Sequence, residues 1–422
     1  MSIIRTLQER ELVSQVTDSA LGEKLSRPVT LYAGFDPTAD SLHIGHLLQI
    51  MVLSHFQRAG HRPIAVVGGA TAMIGDPSGK SEERNLLDEA TIQRNAAGIQ
   101  AQMEKFLDFS GGAQKALLLN NADWIGPFRF VDFLRDVGKH FRVGEMMGKE
   151  SVRKRLGSDV GMSFTEFSYQ LLQSYDFLHL FRNHDCRLQT GGDDQWGNIT
   201  AGIELIRRLE AKPAYGLTSP LVTKADGQKF GKTESGAVWL DPQRTSPYDF
   251  YQYWIRTDDR DVITLLKYFT YLPMEKIVEL ERQVASAPEK RQAQQVLAEE
   301  VTRLVHGEGE LKRAQKASRM LFGEEIFGLN DNELSGIFAD VPSSQMPRDR
   351  LADGIGLIDA LHETGLCASR GEAKKLIKNG GAYVNNRKID ALDFTLTPKE
   401  LASESILILR SGKKNYHLIR FA

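Results

Sequence analysis

The chain has 422 residues, of which 41% are hydrophobic, and its formal net charge is −2. This length can fill two or three hydrophobic cores, and no apolar run approaches the length that spans a membrane, so we expect a multidomain protein without a membrane partner. The opening segment MSIIRTLQERELVSQVTD carries acidic residues and no apolar stretch, which argues against a targeting sequence, and two distant cysteines fit a reducing cytoplasmic location.

The first 220 residues alternate β-prone runs with helical periodicity. The runs are VTLYAGF, PIAVVGG, KALLLN and CRLQTGG. This alternation predicts an α/β fold with an open, Rossmann-like parallel sheet. Ligands of such sheets bind beyond the carboxyl ends of the strands, where five residues fall on this interpretation: Tyr32, Gly34, Asp36, Gly68 and Gln189.

The segment DPTADSLHIGHL places His43 and His46 three residues apart. Ser41 is a candidate N-cap for a helix over residues 42–59, which a glycine closes. In the first turns of that helix both rings can face one ligand, and the free N–H groups of a helix N-terminus attract anions. Taken alone, a histidine pair is more typical of a solvated or packed helix face.

The segment GDPSGKS at 75–81 is one residue short of a P-loop, because Ile74 stands where that motif requires glycine. This near miss argues against a P-loop kinase or ATPase. It leaves Lys80 and Arg84 as loop cations, and Asp76 as a carboxylate that can take an ammonium group.

The segment SFTEFSYQLLQSYDFLHLF begins with a capping box, Ser163 to Glu166, and is otherwise mostly apolar. Its polar side chains at helical spacing share one face: Tyr169, Gln173 and Asp176. Buried polar groups need partners, so this stripe indicates either a small polar ligand or a hydrogen-bonded core network.

Two later loops carry groups suited to a nucleotide. A Gly-Gly turn follows the strand CRLQT, and Asp194 at its exit would suit a ribose. The motif KFGKT places Lys229 and Lys232 on a loop between glycines, where they can close over a polyphosphate. For KFGKT alone, an ordinary solvated basic turn is the alternative.

Residues 355–422 carry 11 Lys and Arg against 7 Asp and Glu, which marks a separate basic module. The irregular stretch VPSSQMP predicts a linker before it. Within the module we expect a helix over residues 369–379 with a capping box, then the strand AYVNN and a hairpin SILILR-SGKKN-YHLIRF. Its lysines can contact RNA phosphates, and a solvated basic face is the alternative.

In this order, HIGH, GDPSGK, the polar stripe, GGDDQWGN and KFGKT strongly resemble the motifs of bacterial-type tyrosyl-tRNA synthetases, which are class I aminoacyl-tRNA synthetases. The resemblance runs across essentially the whole chain. It implies a Rossmann-like catalytic domain over 1–220 with an inserted helical region at about 85–160, and a signature loop with an α-helical domain over 221–322. It also implies a linker over 323–354 and a small α+β RNA-binding domain over 355–422, like that of ribosomal protein S-four.

The resemblance implies that L-tyrosine is activated by ATP to tyrosyl-adenylate with release of pyrophosphate. The tyrosyl group is then transferred to the 3′ terminal adenosine of tyrosine tRNA. Mg²⁺ would arrive with the ATP, with no metal bound by the protein itself. The chain would form a homodimer through the inserted region, with Phe164 near the contact.

The resemblance also assigns residues to each substrate. Those expected to bind tyrosine are Tyr32, Asp76, Tyr169, Gln173, Asp176 and Gln195. Those expected to face ATP are Gly34, Asp36, His43, His46, Gly191, Gly192, Asp194, Leu221, Val222 and Lys232, with Gln49 near the ribose. Those assigned to the phosphates in catalysis are Thr38, His43, His46, Lys80, Arg84, Lys229, Lys232 and Thr233. Those assigned to tRNA are Lys149, Arg153, Lys154, Arg155, Arg207, Arg208, Lys374, Lys375, Lys378, Lys413 and Lys414.

Two positions depart from the family pattern. Ala33 stands where many members carry Cys, which bears on a minor ribose contact. Asp193 stands where many carry Ser, which adds a negative charge beside Asp194.

Three other functions fit these residues less well. A tryptophanyl enzyme is the nearest, but an indole offers no hydroxyl for Tyr32 and Asp176. A cytidylyltransferase-like HxGH enzyme would not need the basic C-terminal module. An RNA chaperone derived from a synthetase would not need the retained phosphate-binding groups.

Overall fold

The computed structural model describes residues 2–78, 88–157, 161–225, 230–233, 236–321, 323–326, 328–338, 341–413 and 415–422. It divides into two compact units, Met1–Gly307 and Glu308–Ala422. Among the helices in these ranges, none combines the length and the apolar character that crossing a membrane requires.

A six-stranded sheet forms the centre of the first unit. Its strands are β1 (Gln15–Val16), β2 (Thr30–Phe35), β3 (Arg62–Val67), β4 (Leu117–Asn120), β5 (Cys186–Gly192) and β6 (Tyr215–Ser219). Their order in the sheet is β1-β6-β5-β2-β3-β4, and all neighbours are parallel except β1 and β6. The predicted α/β fold is therefore confirmed, and the short antiparallel edge strand β1 was not predicted.

Helices pack around this sheet and continue beyond it along the chain. They are α1 (Ile3–Glu9), α2 (Leu21–Lys24), α3 (Ile44–Arg58), α4 (Glu89–Met103), α5 (Ala122–Ile125), α6 (Phe130–Asp136), α7 (Val143–Met147), α8 (Glu150–Leu156), α9 (Phe164–His184), α10 (Trp196–Glu210), α11 (Pro247–Ile255), α12 (Val262–Phe269), α13 (Met274–Ser286) and α14 (Gln292–Leu321). A hairpin of β7 (Lys232–Thr233) and β8 (Gly236–Ala237) lies between α10 and α11. Gly307 interrupts α14 with a φ of 84°, at the boundary between the units.

The order of the strands reverses between β2 and β5. From β2 the chain moves outward through β3 and β4, whereas β5 and β6 lie on the other side. The ladder between β2 and β5 ends at the pair Tyr32 and Gln189, although both strands continue beyond it. The two strands therefore separate at their carboxyl ends and leave a crevice, which is where open α/β sheets bind ligands.

The second unit contains a five-stranded sheet and several short helices. Its strands are β9 (Ser343–Met346), β10 (Ile355–Gly356), β11 (Ala382–Val384), β12 (Arg387–Ile389), β13 (Thr395–Leu396), β14 (Ile406–Ser411) and β15 (Asn415–Phe421). The large sheet has the order β12-β11-β14-β15-β9, while β10 pairs with β13. The helices, with the end of α14, are α15 (Asp331–Ile337), α16 (Arg348–Asp353), α17 (Leu357–Glu363) and α18 (Arg370–Lys378). The predicted C-terminal α+β domain and its final hairpin are confirmed.

The linker predicted over 323–354 is wrong for the residues described there. This range contains α15, β9 and α16, and β9 pairs in parallel with the C-terminal strand β15. Leu334 and Phe338 are buried in a core cluster with Ile406 and Ile408. Pro342 and Pro347 flank β9, and this local composition predicts a loop. The strand forms because β9 pairs with β15, which is far away in the sequence.

Candidate active site

A cavity of about 710 Å³ lies at the crevice between β2 and β5. Its walls come from both strands, from α3, α9 and the loops that follow β3, β5 and β6. The tyrosine and ATP residues predicted from the sequence line it wherever the structure describes their side chains, together with Thr38 and Gln49. The fold thus brings together side chains that are more than 180 positions apart in the sequence.

Asp176, on α9, supplies a buried carboxylate to this cavity and is 4% exposed. It accepts hydrogen bonds from Asn121 Nδ2 at 3.0 Å and from Trp124 Nε1 at 2.7 Å. Burial raises the pKa of this carboxyl from 3.8 to about 7, against the opposing effect of the two hydrogen bonds. Because a carboxylate can accept further hydrogen bonds, the site suits a ligand that donates one.

Tyr32, on β2, brings a phenol to the same part of the cavity. It is 1% exposed, and its ring packs on Phe177 with centroids 5.3 Å apart. Burial and then the charge of Asp176 raise the pKa of this phenol, so it stays protonated and can donate a hydrogen bond. Its hydroxyl finds no partner in the described part of the chain. A ligand hydroxyl between Tyr32 and Asp176 would accept from the first and donate to the second.

A second polar cluster joins the loop after β3 to α9 and α10. Asp76 accepts from the backbone N–H of Ser78 at 2.9 Å and from Gln195 Nε2 at 2.7 Å. Gln173 donates to Gln195 Oε1 at 3.2 Å, and Asn198 donates to Gln173 Oε1 at 3.0 Å. The carboxylate and the amide oxygens of this cluster are acceptors that suit an ammonium group.

A third cluster surrounds Asp36, which follows β2. Thr71 Oγ1 donates to one carboxylate oxygen at 2.8 Å, and the hydroxyl of Tyr169 donates to the other at 2.9 Å. Burial and then the charges of Asp36 and Asp76 raise the pKa of Tyr169. Gly68 permits this arrangement, because a Cβ there would lie 2.0 Å from the Asp36 carboxylate. The contact of Tyr169 with a bound tyrosine stays a prediction.

The two histidines of HIGH cap α3 reciprocally. His43 Nδ1 accepts the N–H of Gly45 at 3.0 Å, and His46 Nδ1 accepts the N–H of His43 at 3.3 Å. The predicted cap Ser41 is wrong, since its hydroxyl donates to the carbonyl of Leu42 and the helix begins later. Because both Nδ1 atoms are acceptors, each neutral ring carries its proton on Nε2. The rings stack with centroids 3.9 Å apart.

Backbone hydrogen bonds join the segment after KFGKT to the start of α3. Ile44 donates to the carbonyl of Val238 at 3.0 Å, and Leu240 donates to the carbonyl of Leu42 at 2.9 Å. Gly231 has a φ of 82°, and a Cβ there would lie 3.0 Å from the Ile44 side chain. The two signature motifs are therefore neighbours in the fold, which local sequence could not establish.

Several predicted phosphate ligands lie where the structure gives no side-chain geometry. Lys80, Arg84 and Lys229 lie outside the described residues. Lys232 and Thr233 form the strand β7. The roles of these five residues stay predictions.

The structure contradicts the assignment of Arg155 to tRNA. Arg155 is 3% exposed and forms a buried ion pair with Glu166 at 2.8 Å. Its Nε also donates to the carbonyl of Gly161 at 3.2 Å. Removing one partner of such a pair costs about 3–5 kcal/mol, so Arg155 is held inside the protein. The basic run of α8 does not reveal from sequence which of its side chains faces inward.

The other residues of the first unit that were assigned to tRNA differ in their exposure and in their ion pairs. Lys149 donates to Thr200 Oγ1 at 2.9 Å, and burial lowers the pKa of its ammonium group. Arg208 pairs with Glu204 at 2.6 Å and with Glu145 at 3.3 Å. Arg153 and Arg207 are exposed. Lys154 lies in α8 between Arg153 and Arg155.

In the second unit the lysines of α18 lie on its exposed face. Ser369 caps this helix by accepting the N–H of Glu372 at 3.2 Å, as predicted, while Ala373 and Ile377 face the core. The exposed lysines are Lys374, Lys375 and Lys378, with Lys413 at the turn between β14 and β15. Lys414 lies outside the described residues.

Asp193, one of the two departures, is occupied by neighbours from other strands. Its carboxylate accepts from Ser14 Oγ at 2.7 Å, from Thr218 Oγ1 at 2.6 Å and from Gln15 Nε2 at 3.3 Å. These bonds tie β1 and β6 to the turn after β5. The extra negative charge beside Asp194 is therefore part of a structural contact.

Sequence reasoning missed the residues that support the predicted ligands. Asn121 and Trp124 follow β4 and hold Asp176, while Asn121 also donates to Thr71 at 3.0 Å and accepts from the N–H of Ala70 at 2.8 Å. Asn120 and Asn121 at the end of β4 could have indicated a role in the site, because they follow a strand of the same sheet. For the described residues, no group of three or more His, Cys, Asp or Glu could hold a metal ion.

Comparison with known proteins adds an independent result. Residues 23–323 match the family model described as tRNA synthetases class I (W and Y), and residues 333–419 match the Tyrosine--tRNA ligase SYY-like C-terminal domain. A tyrosine--tRNA ligase of Roseiflexus castenholzii is 54% identical, with 99% of both chains covered. One of Rhodopirellula baltica is 53% identical, with 99% of this chain and 96% of its own covered.

A solved structure has a similar fold over most of the chain. It is a C-terminally truncated mitochondrial tyrosyl-tRNA synthetase of Aspergillus nidulans, with 32% sequence identity and a TM-score of 0.69. The match covers 76% of this chain and 94% of that one.

The raised pKa of Asp176 predicts a pH effect on stability. The carboxyl of Asp176 binds its proton more tightly in the folded protein than in the unfolded chain. Protonation of Asp176 therefore stabilises the folded protein fully below the ordinary pKa of 3.8, and this stabilisation is lost as the pH rises through about 7. Relative to Asp176→Asn, the wild type should lose up to about 1.4 kcal/mol per pH unit in this window. Thermal unfolding of both proteins without ligand, at pH about 5 and about 7, measures the difference. A gap between them that does not change with pH would contradict the buried ionisation.

Proposed function

The chain belongs to the tyrosine--tRNA ligases, a family of class I tRNA synthetases, and on that premise we propose how its residues bind the substrates. Its reaction is the attachment of tyrosine to tRNA with ATP. A family model that covers tryptophan and tyrosine enzymes leaves both open, but the curated relatives named above and the C-terminal domain model are those of the tyrosine enzymes.

The observation that carries the proposal is the buried pair of Tyr32 and Asp176. Tyr32 offers a hydroxyl with no partner in the described ranges, and Asp176 offers a carboxylate with two donors already in place. The hydroxyl of tyrosine fits between them, since it can accept and donate at once. Phenylalanine would leave both groups unsatisfied, at a cost of about 1–3 kcal/mol for each buried group.

The other end of tyrosine is proposed to meet the cluster of Asp76, Gln173 and Gln195. These acceptors are hydrogen-bonded to one another and so are held in place before the ligand arrives. Tyr169, whose hydroxyl is bonded to Asp36, is proposed to complete the contact with the α-ammonium group. The tyrosine carboxylate is then directed toward the α-phosphorus of ATP.

The nucleotide is proposed to lie across the exposed ends of β2 and β5, with the residues assigned to ATP above. His43 and His46 lie where α3 begins, and their Nε2–H groups are suited to donate to phosphate oxygens. Since the tyrosine carboxylate is the nucleophile, the protein needs no nucleophile of its own. It accelerates the reaction by positioning the carboxylate in line and by stabilising charge on the pentacoordinate phosphorus.

Thr38 and the loop cations Lys80, Arg84, Lys229 and Lys232, with Thr233, are proposed to act on the phosphates. Mg²⁺ is proposed to enter with ATP, where it would neutralise charge on the pyrophosphate group. The carboxylates of Asp36 and Asp76 each accept at least two hydrogen bonds from the protein, which suits a metal held by phosphate oxygens and water.

The proposed tRNA contacts are the exposed Arg153 and Arg207, with Lys149, Lys154 and Arg208 nearby, and the lysines of the second unit. The unit Glu308–Ala422, which contains the basic residues 355–422, is proposed to form the RNA-binding domain, and the segment 1–220 the catalytic domain. The chain is proposed to act in the cytoplasm, where tRNA is charged for translation.

We further propose a homodimer through the inserted region. Of the large hydrophobic side chains that are exposed among the described residues, most fall between 130 and 164: Phe130, Val131, Leu134, Val143, Met147, Leu156 and Phe164. Phe164 is 70% exposed at the start of α9, the helix that carries Asp176. Exposed apolar groups in such number mark an interaction surface.

Replacement of Tyr32 by phenylalanine tests the hydroxyl contact. Tyr32→Phe should lower the preference for tyrosine over phenylalanine in pyrophosphate exchange by roughly 2- to 10-fold, the value of one neutral hydrogen bond. The ratio of kcat/KM for the two amino acids is the measurement. Tyr416→Phe, which removes a hydroxyl bonded to the carbonyl of Leu321 in the second unit, is the control and should leave the ratio unchanged. Equal ratios in Tyr32→Phe and wild type would sink the assignment.

Neutralising the exposed lysines of α18 tests the RNA-binding domain. The triple variant Lys374→Ala, Lys375→Ala and Lys378→Ala should form tyrosyl-adenylate at the wild-type rate but charge tRNA with a higher KM. Each lost phosphate contact should reduce the slope of log affinity against log salt by about 0.7–0.9. Pyrophosphate exchange and tRNA charging at two salt concentrations measure both halves of the reaction. Undiminished charging would place the main tRNA contacts elsewhere, and equal loss in both assays would indicate damage to the catalytic unit.

The substitution Phe164→Asp tests the dimer. A buried, unpaired carboxylate at an apolar interface is costly, so the sedimentation coefficient should shift toward the monomer. Val278→Asp is the matched control, because Val278 is a partly exposed apolar residue of α13 outside the inserted region. It should leave the sedimentation coefficient unchanged. A Phe164→Asp protein that sediments like the wild type would move the interface away from α9.

A further inference from the structure

Thr190 is a buried polar residue of the cavity for which the proposed function has no role. It is 2% exposed and lines the cavity, and its Oγ1 makes no hydrogen bond to the residues that the structure describes. Gln49, on α3, lines the same cavity with an Oε1 that is buried and unsatisfied in the same sense. Since a buried hydroxyl without a hydrogen bond is unfavourable, a cavity wall that keeps one indicates a ligand partner.

The position of Thr190 in β5 places it at the opening of the crevice. Gln189 is the last residue of β5 that pairs with β2, opposite Tyr32. Thr190 follows immediately and pairs only with Leu217 of β6 among the described ladders. On the opposite strand, the residue that follows Tyr32 is Ala33, which has no polar side-chain atom. The two residues therefore flank the point where the strands separate.

The neighbouring glycines show which side of the sheet Thr190 faces. A Cβ on Gly191 would lie 2.9 Å from the side chain of Gln195, which belongs to the cluster proposed to bind the ammonium group of tyrosine. A Cβ on Gly192 would lie 2.7 Å from the Asp194 carboxylate, on the side assigned to the nucleotide. Alternate residues of a strand share a face, so Thr190 projects to the same side as Gly192.

In ATP the ribose joins the adenine to the phosphates. Gly192 and Asp194 line the cavity at the end of β5, and the two histidines line it at the start of α3. Thr190 lies two residues before Gly192, Gln49 lies three residues after His46, and both line the same cavity. We propose that the Thr190 hydroxyl forms a hydrogen bond with a ribose hydroxyl of the nucleotide, assisted by Gln49 and beside Ala33. This inference rests on the proposed placement of ATP in the cavity.

Removing the Thr190 hydroxyl without changing the shape of the side chain tests the inference. Thr190→Val should raise the KM for ATP in tyrosine-dependent pyrophosphate exchange by roughly 2- to 10-fold and leave the KM for tyrosine unchanged. Thr190→Ser, which keeps the hydroxyl, should restore the wild-type KM. The assay is repeated with 2′-deoxy-ATP and 3′-deoxy-ATP, and an analogue that turns over too slowly is measured as an inhibitor against ATP.

One of the two deoxynucleotides should bind wild type and Thr190→Val equally, because it lacks the hydroxyl that Thr190 contacts. The other should show the same loss as ATP. Thr302→Val is the matched control, since Thr302 is 0% exposed, its Oγ1 is unsatisfied by the described residues, and it does not line the cavity. It should leave both KM values unchanged. If Thr190→Val does not fold, Thr190→Ala removes the same hydroxyl and replaces it in every assay.

Three results would overturn the inference. The first is an unchanged KM for ATP in Thr190→Val. The second is an equal loss with ATP and with both deoxynucleotides, which would show that no ribose hydroxyl is contacted. The third is a rise in the KM for tyrosine in place of ATP, which would turn Thr190 toward the amino acid. Wild-type exchange that depends on tyrosine and ATP supports the proposed function in all three cases, so failure of the inference is separable from failure of that function.

Discussion

A carboxylate that is buried and only partly satisfied is the constraint on which the cavity depends. Asp176 has donors in Asn121 and Trp124, yet burial still raises its pKa to about 7. A further donor from the ligand favours the ionised form. A ligand hydroxyl that donates to Asp176 is therefore favoured, and Tyr32 can donate a second hydrogen bond to the same hydroxyl.

The start of α3 shows a second use of hydrogen bonds that serve fold and ligand together. A capping box usually employs serine or threonine with glutamate, but here His43 and His46 cap the helix with their Nδ1 atoms. The bonds that begin the helix therefore also set the tautomer of both rings. They leave the ring proton on Nε2 at the helix N-terminus where we propose that the phosphates bind. The segment after KFGKT is held against the same turn by backbone hydrogen bonds.

Local patterns predicted the parallel strands, the polar stripe of α9 and a few cavity residues at strand ends, because periodicity and turn residues report the local backbone. The other cavity residues were assigned through the family resemblance. Local patterns failed where distant contacts decide. The basic sequence of α8 does not indicate that Arg155 is buried in an ion pair with Glu166. The loop-like composition around β9 does not indicate that this strand pairs with β15. Ser41 looked like the cap of α3 because serine commonly fills that position. Asn121 and Trp124 were missed because their role exists only once β4 and α9 are neighbours.

Proton exchange on tyrosine binding is the most direct test of the central role of Asp176. At pH near 7 the free carboxyl, with a pKa of about 7, is partly protonated, and the hydroxyl of tyrosine should favour its ionised form. Calorimetric titration in two buffers of different ionisation enthalpy should therefore show that tyrosine binding releases protons, on the order of half a proton per site. Asp176→Asn should show no such release. Net proton uptake by the wild type, or equal release by Asp176→Asn, would contradict the account.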